Sequence, residues 1–414
     1  MMNKTGGRVI LHCDCNSFFA SVETALNPEY IGVPMAVCGS TEDRHGIVLA
    51  KNELAKQYGI KTAETVYSAK KKCPHLVIAS PHYDKYSEYS AKVNAIYAKY
   101  TDMVEPFGID ESWLDVTASR RLFGTGEQIA EKIRREVKET IGITVSIGVS
   151  FNKVFAKLGS DYKKPDAITV INEENFRNIV FPLPVGDLLF IGKKTEIALA
   201  SMGIRTIGDL ASSNPDMLRM RLGKAGEMIY HYARGEDDSP VSPTREDAKS
   251  IGNGFTFRHD LVTEEECRVG IDFLAEEIGR RLRSEGMKCA TVQLTIKDEY
   301  LRSTQRQRAI SPPTDISREI ATRAYEILLD EWSEGKPIRM ITITASNLMH
   351  ADMVCEQIDM FAPTLNVDRG KSREREEAVD KIRQKHGNAS IVTGSVLGSD
   401  IGVFDSDKDK NKNG

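Results

Sequence analysis

The sequence predicts an α+β multidomain protein, and three observations carry that reading. The N-terminal part alternates short apolar strands with amphipathic helices: strand–helix, then helix–strand–hairpin, then helix–strand. Asn172 to Gly235 is helical and holds glycine-bearing turns. Ile251 to His350 reads strand, helix, strand, strand, helix, strand. There Ala290, Val292, Leu294 and Ile296 face one way, and Thr291, Gln293, Thr295 and Lys297 the other. With 414 residues the chain has room for about three domains.

Composition is that of a globular protein, 40% hydrophobic and 28% charged. No apolar run approaches the roughly 18–20 residues of a membrane span, and Met1 to Arg8 lacks the apolar core of a signal peptide. A cytoplasmic protein with no membrane partner is expected. Seven irregularly spaced cysteines predict reduced thiols. Cys13 and Cys15 have no second Cys/His pair at zinc-site spacing. A net charge of -4 gives no global attraction for nucleic acid, so any attraction must be local.

The first strand, Val9 to Cys13, places Val9, Leu11 and Cys13 on one face and Ile10 and His12 on the other. Asp14 ends it. Asn16 is the expected N-cap of a helix carrying Phe19, Ala20 and Val22. A carboxylate beside a helix N-terminus suits a cation with a phosphate, and a plain capping role suits it too. Asn27 to Tyr83 is a small inserted region with strands Met35–Cys38 and Gly46–Ala50, a helix Asn52–Tyr58, and lysines 51, 56, 61, 70, 71 and 72. A helix follows over Asp84–Tyr100. The strand-like run Met103 to Val116 then holds Asp110 and Glu111. Adjacent strand residues point to opposite faces. The two acids therefore serve one site only if the chain bends between them, as at a hairpin tip beside Gly108. With Asp14 they would make a metal-binding cluster; a solvated hairpin turn is the alternative. Helix Glu127–Ile141, strand Thr144–Val149, helix Asn152–Gly159 and strand Ile168–Ile171 complete a sheet domain with helices expected on one face.

In the helical stretch, Gly192-Lys193 and Gly223-Lys224 offer backbone N–H groups and charge to a phosphate; ordinary helical hairpins explain them equally. A polar, proline-containing linker covers 241–250. In the second sheet Arg302, Thr304, Arg306 and Arg308 share one parity. Lys249, Arg258, Lys288, Lys297 and Arg339 lie in or beside strands, while acids concentrate in the helices. The expectation is an open, basic sheet face for a polyanion backbone. The tail from Ala351 holds Gln357-Ile358-Asp359-Met360-Phe361, a charged helix Lys371–His386, and a low-complexity end, Ser406–Gly414, expected to be disordered.

Three motifs resemble those of the Y-family translesion DNA polymerases, in that family's order. They are Asp14-Cys15-Asn16-Ser17-Phe18-Phe19-Ala20-Ser21-Val22-Glu23, Gly108-Ile109-Asp110-Glu111-Ser112-Trp113-Leu114-Asp115, and Gly148 to Leu158 with Asn152-Lys153-Val154-Phe155-Ala156-Lys157 inside it. The nearest class is bacterial DNA polymerase IV, and the resemblance runs from Val9 to Leu348. It implies a right-hand polymerase: a ferredoxin-like palm over 1–26 and 84–171, small fingers over 27–83, a helical thumb over 172–240, and a little finger of one sheet and two helices over 251–350. It implies a monomeric, low-fidelity, template-directed polymerase without proofreading, acting on primer-template DNA and deoxynucleoside triphosphates with two Mg²⁺. Asp14, Asp110, Glu111 and the Cys15 carbonyl match its metal ligands. Phe19 matches the steric gate against a ribose 2′-hydroxyl and Lys164 the triphosphate lysine, and Phe18 and Lys56 are expected to bind the substrate with them. Gly192, Lys193, Gly223 and Lys224 match thumb contacts to DNA, joined by Lys297, Arg302, Arg306 and Arg308. Gln357, Ile358, Met360 and Phe361 resemble a sliding-clamp-binding motif. The chain departs from the family at Asn52-Glu53-Leu54-Ala55-Lys56, where a Tyr and an Arg are usual. It departs again at Leu49, Trp113 and Phe190. Lys56 keeps the charge of that Arg without its fork. An inactive polymerase-like accessory subunit and a nucleotidyl cyclase are the competing readings.

Overall fold

The computed structural model describes residues 7–40, 46–244, 247–354 and 363–403. The chain forms two compact units, Met1–Gly39 with Ile47–Arg245, and Glu246–Gly414 with Ser40–Gly46.

The first unit is built on a five-stranded sheet ordered Val104–Pro106, Glu111–Asp115, Ile10–Cys15, Val145–Ser150, Ile168–Ile171. All neighbours are antiparallel except the last pair. Ile10–Cys15 is the central strand and every one of its residues is buried. Alternation sends Leu11, Cys13 and Cys15 to one face. There they share a core with Tyr86, Val93 and Tyr97 of helix Tyr83–Tyr97 and with Ile129, Ile133 and Val137 of helix Gly126–Ile141.

The expectation of helices on one face only is corrected. Helix Lys153–Tyr162, capped by Asn152, crosses the opposite face. Gly148 permits this, because a Cβ there would stand 1.8 Å from the Ala156 carbonyl oxygen. Ala156 closes a small core with Ile10 and Trp113, which would otherwise face water. The same helix sends Phe155 and Leu158 into the core of the following helical region, with Leu199, Ile207, Leu218 and Ile229.

The inserted region is a three-stranded sheet, Val48–Lys51, Met35–Cys38, Val77–Ala79. The last strand and helix Val66–Lys72 escape a sequence pattern, since three residues show no periodicity. Asn52 ties the region together: its Oδ1 accepts from Ala55 N and Met35 N, at 3.0 and 3.1 Å.

The second unit holds a four-stranded antiparallel sheet ordered Ser303–Thr314, Met287–Asp298, Ile338–His350, Ser250–Leu261. Helices Glu264–Ser284 and Ser317–Glu331 cover one face, in the predicted element order. A third helix begins at Pro363 rather than Lys371 and packs on these two. Arg283 is nearly sealed, with 7% of its side chain exposed; its Nε donates to Asp380 at 2.7 Å and Nη1 to Glu376. Arg369 pairs with Glu319 at 2.7 Å and Arg383 with Glu276 at 2.9 Å. The chain then returns along the unit, where Arg258 N–H donates to the Ile401 carbonyl at 3.0 Å and Val396 and Ile401 enter the core. Much of the expected tail is therefore part of this unit. Gln357, Ile358, Met360 and Phe361, and the terminal Ser406–Gly414, lie outside the described residues.

Candidate active site

Asp14 and Glu111 are direct partners across the two central strands, so their side chains share one face. Asp110 lies just before the second strand, in a bend where Gly108 takes φ +91°. Cys15 N–H donates to the Asp110 carbonyl at 3.0 Å, and Phe107 N–H to the Glu111 carbonyl at 2.8 Å. These bonds fix the bend that two consecutive acids need in order to act at one place.

The cluster is short of positive charge. Burial pushes the Asp110 carboxyl up to about 6, and the charges of Asp14 and Glu111 add to the shift. Burial also raises Asp14, with Lys164 opposing. Burial would raise Glu111 as well, but bonds from His12 and Lys157 outweigh it and hold that carboxyl near 2. Lys164 Nζ sits 2.6 Å from Asp14 Oδ2 and 2.7 Å from Asp161 Oδ1. Hard oxygen donors with a shared charge deficit fit Mg²⁺ in preference to softer metals.

His12, Lys157, Ser160 and Asp161 surround the acids and went unassigned in the sequence. His12 was legible by parity, since it lies on the Asp14 face of its strand. The others needed the knowledge that Lys153–Tyr162 packs on that face.

The half-buried Phe19 ring stacks on Tyr86, with centroids 4.1 Å apart and planes 10° from parallel, and meets Tyr83 edge-on at 6.1 Å. Phe18 is corrected: only 3% exposed, it belongs to the core and presents no surface to a substrate. Asn16 is corrected as well. Its amide is taken by Thr144 Oγ1 at 3.0 Å and Ser146 Oγ at 2.8 Å, so Ser17 becomes the N-cap, in a left-handed conformation with φ +49°. Ser17 Oγ donates to Glu53 at 3.1 Å, and Lys56 Nζ pairs with the same oxygen at 2.6 Å. Glu53 thus faces back toward the palm, and Lys56 is held by it.

The chain is similar to known proteins over most of its length. Residues 13–161 match the impB/mucB/samB family, 248–360 its C-terminal domain, and 187–237 a DNA polymerase-iota thumb domain. A DNA polymerase IV of Acetivibrio thermocellus is 47% identical over 392 residues, covering 94% of this chain and 98% of that protein. DNA polymerase IV 1 of Bacillus subtilis is 34% identical over 394 residues, with 94% and 93% covered. The chain belongs to the Y family of DNA polymerases. A solved Y-family DNA polymerase chimera shares its fold, with a TM-score of 0.72 at 24% identity over 82% of this chain and 99% of that one. The polymerase is accordingly a DNA-directed DNA polymerase.

Of the polymerase's candidate DNA contacts, Gly192 and Gly223 each stand at the N-cap of a helix, Lys193–Ser201 and Lys224–Ala233, with no side-chain cap. Gly223 adopts φ +66°, ψ −149°, a conformation open essentially to glycine alone. Phe190 takes φ +67°, a left-handed conformation that favours glycine, and is 56% exposed. Lys193 pairs with Glu196 at 3.1 Å, and Lys224 lies exposed in its helix's first turn.

The open basic face is corrected. Arg306 and Arg308 are register partners of Leu294 and Val292, so they share the helix-covered face. They reach over its edge to acids of helix Ser317–Glu331: Arg306 Nε to Glu331 at 3.0 Å, Arg308 to Asp330. The open face carries Gln293, Thr295 and Lys297 opposite Gln307, Gln305 and Ser303. Arg302 lies just before the edge strand, exposed, with its guanidinium over Tyr300.

Proposed function

We propose that the polymerase performs translesion synthesis, adding deoxynucleotides to a primer end opposite damaged template by two-Mg²⁺ chemistry. One observation supports this most: Asp14 and Glu111 face each other across paired strands, and Asp110, in the bend just before Glu111, lies near enough for the charges of both to push it up. Asp14, Asp110, Glu111 and the Cys15 carbonyl are the groups that would hold Mg²⁺. When bound, Mg²⁺ acidifies the primer 3′-hydroxyl and neutralises the triphosphate. Lys164 is the mobile counter-charge; it leaves Asp14 for the incoming triphosphate. Phe19, stiffened by its stack on Tyr86, fills the space a ribose 2′-hydroxyl would need. The uncapped helix N-termini at Gly192 and Gly223, with Lys193, Lys224, Lys297 and Arg302, bind DNA backbone. Gln357 to Phe361 recruits the enzyme to a sliding clamp, and the polymerase works as a monomer in the cytoplasm, without proofreading.

The test is primer extension on templated, untemplated and lesion-bearing substrates, with and without Mg²⁺. Template-directed extension past a lesion that needs Mg²⁺ is expected. Extension without metal, or none with it, contradicts the reading, and the second result would favour an inactive accessory subunit. Deleting Gln357–Phe361 should leave basal extension intact and remove stimulation by the clamp; stimulation that survives contradicts the recruitment role.

A further inference from the structure

His12 lies beneath the acid cluster and has no part in the reaction described above. It is fully buried, with its ring edge-on to Trp113 at 5.2 Å. Its Nε2 stands 3.1 Å from Glu111 Oε2, and its Nδ1 2.8 Å from Ser160 Oγ. Lys157 approaches the same Glu111 oxygen, Oε2. Nε2 thus stands within reach of the oxygen that Lys157 binds, without itself completing a hydrogen bond in this geometry, and Oε1 is the one left for another cation.

Counting hydrogens decides which ring nitrogen carries one. Ser160 Oγ lies 2.7 Å from the Lys157 carbonyl as well as 2.8 Å from Nδ1, and a hydroxyl has a single hydrogen. If that hydrogen goes to the carbonyl, Nδ1 must donate to Ser160. A neutral ring then turns a bare Nε2 lone pair toward a carboxylate, which is repulsive. If the hydrogen goes to Nδ1, Nε2 carries the ring hydrogen and points it at Glu111. Only the second arrangement satisfies a neutral, fully buried ring.

We propose that His12 and Ser160 are positioning residues for Glu111: the Ser160 hydroxyl fixes His12 as its Nε2–H tautomer, which with Lys157 holds Oε2 and aims Oε1 at the metal. The arrangement parallels outer-shell partners that orient metal ligands in general, and it rests on Glu111 being a metal ligand. A histidine that merely fills the core would need neither nitrogen.

The experiment is a Mg²⁺ titration of the full chain on a dideoxy-terminated primer-template with the matching nucleotide, so that no turnover occurs, read by calorimetry. His12→Phe keeps a buried ring and removes both nitrogens; Ser160→Ala removes only the hydroxyl. The Mg²⁺ midpoint should rise about tenfold in His12→Phe and less in Ser160→Ala, with the nucleotide midpoint at saturating Mg²⁺ unchanged. Imidazole ¹⁵N shifts should show His12 as Nε2–H in the parent and a displaced Nδ1 resonance in Ser160→Ala, where that nitrogen loses its hydrogen bond; an Nδ1–H ring in the parent would contradict the assignment. Unchanged Mg²⁺ midpoints in both variants, alongside a raised one in Glu111→Gln, would overturn the positioning role alone. An unchanged midpoint in Glu111→Gln would instead overturn the metal role of Glu111 and the inference with it.

Discussion

The palm and the C-terminal unit use the same charged residue types to opposite ends. In the palm, Asp14, Asp110 and Glu111 lie near enough for their charges to act on one another, and burial with that repulsion raises two of them. In the C-terminal unit, Arg283, Arg369 and Arg383 each meet a carboxylate across a helix interface, at 2.7 to 2.9 Å. Charge left uncompensated marks a place where a ligand is to come; charge that is compensated marks architecture.

The contrast predicts how each region breaks. Asp110→Asn should cut Mg²⁺-dependent primer extension on the order of 10³-fold or more, the scale of losing a group that stabilises transition-state charge, with DNA binding retained in a gel-shift assay. Extension within tenfold of the parent would contradict the site. Arg283→Ala should act on stability instead. It strands Glu376 and Asp380 against a buried interface, at a cost of about 3–5 kcal/mol, read as a lower melting temperature of the C-terminal unit. An unchanged melting curve would show that the helix Pro363–His386 is not held by these pairs. Phe19→Ala should relax discrimination against ribonucleotides on the order of 10²-fold, measured as the ratio of kcat/KM for deoxy- and ribonucleotides. The smallest effect separates two kinds of cation in the second sheet. Lys297→Ala should lower the salt dependence of DNA binding by about one counterion, whereas Arg306→Ala, already paired with Glu331, should leave it unchanged. Equal slopes for both variants would restore the basic-face reading of Arg306.

Much of this was legible in the sequence because it rests on alternation. The parity of Ile10–Cys15 put His12 and Asp14 together, and the need for a bend at Asp110-Glu111 followed from the two-residue period of a strand. Parity also grouped Arg306 with Arg308, but it could not say which face they share. Ser303–Ala309 is exposed throughout, so an edge strand with no apolar side has no phase of its own. Only its register with Val292 and Leu294 decides, and long arginine stems then carry the charge round to the helix. The docking of Pro363–His386 was hidden for a related reason. Its contacts are ion pairs between residues distant in sequence, and a charged helix reads as solvated until its partners are known. Phe18 and Phe19 show the limit at single-residue scale: adjacent identical rings, one sealed in the core and one half-buried at its edge, separated only by which side of the helix each occupies.

The most direct test of the palm as a charge-deficient cation site is thermal melting of the metal-free protein and its Asp110→Asn variant at pH 7.5, each with and without Mg²⁺. Asp110 has a folded-state pKa of about 6, above its ordinary value. Its ionisation therefore opposes folding above that pH, and the opposition fades as pH falls through 6 toward 4. Asp110→Asn should stabilise the metal-free fold by about 1–3 kcal/mol, this advantage should shrink by pH 5, and Mg²⁺ should raise the melting temperature of the parent but not of the variant. A variant less stable than the parent without metal, and stabilised by Mg²⁺ to the same extent, would contradict the charge-deficient reading of the palm.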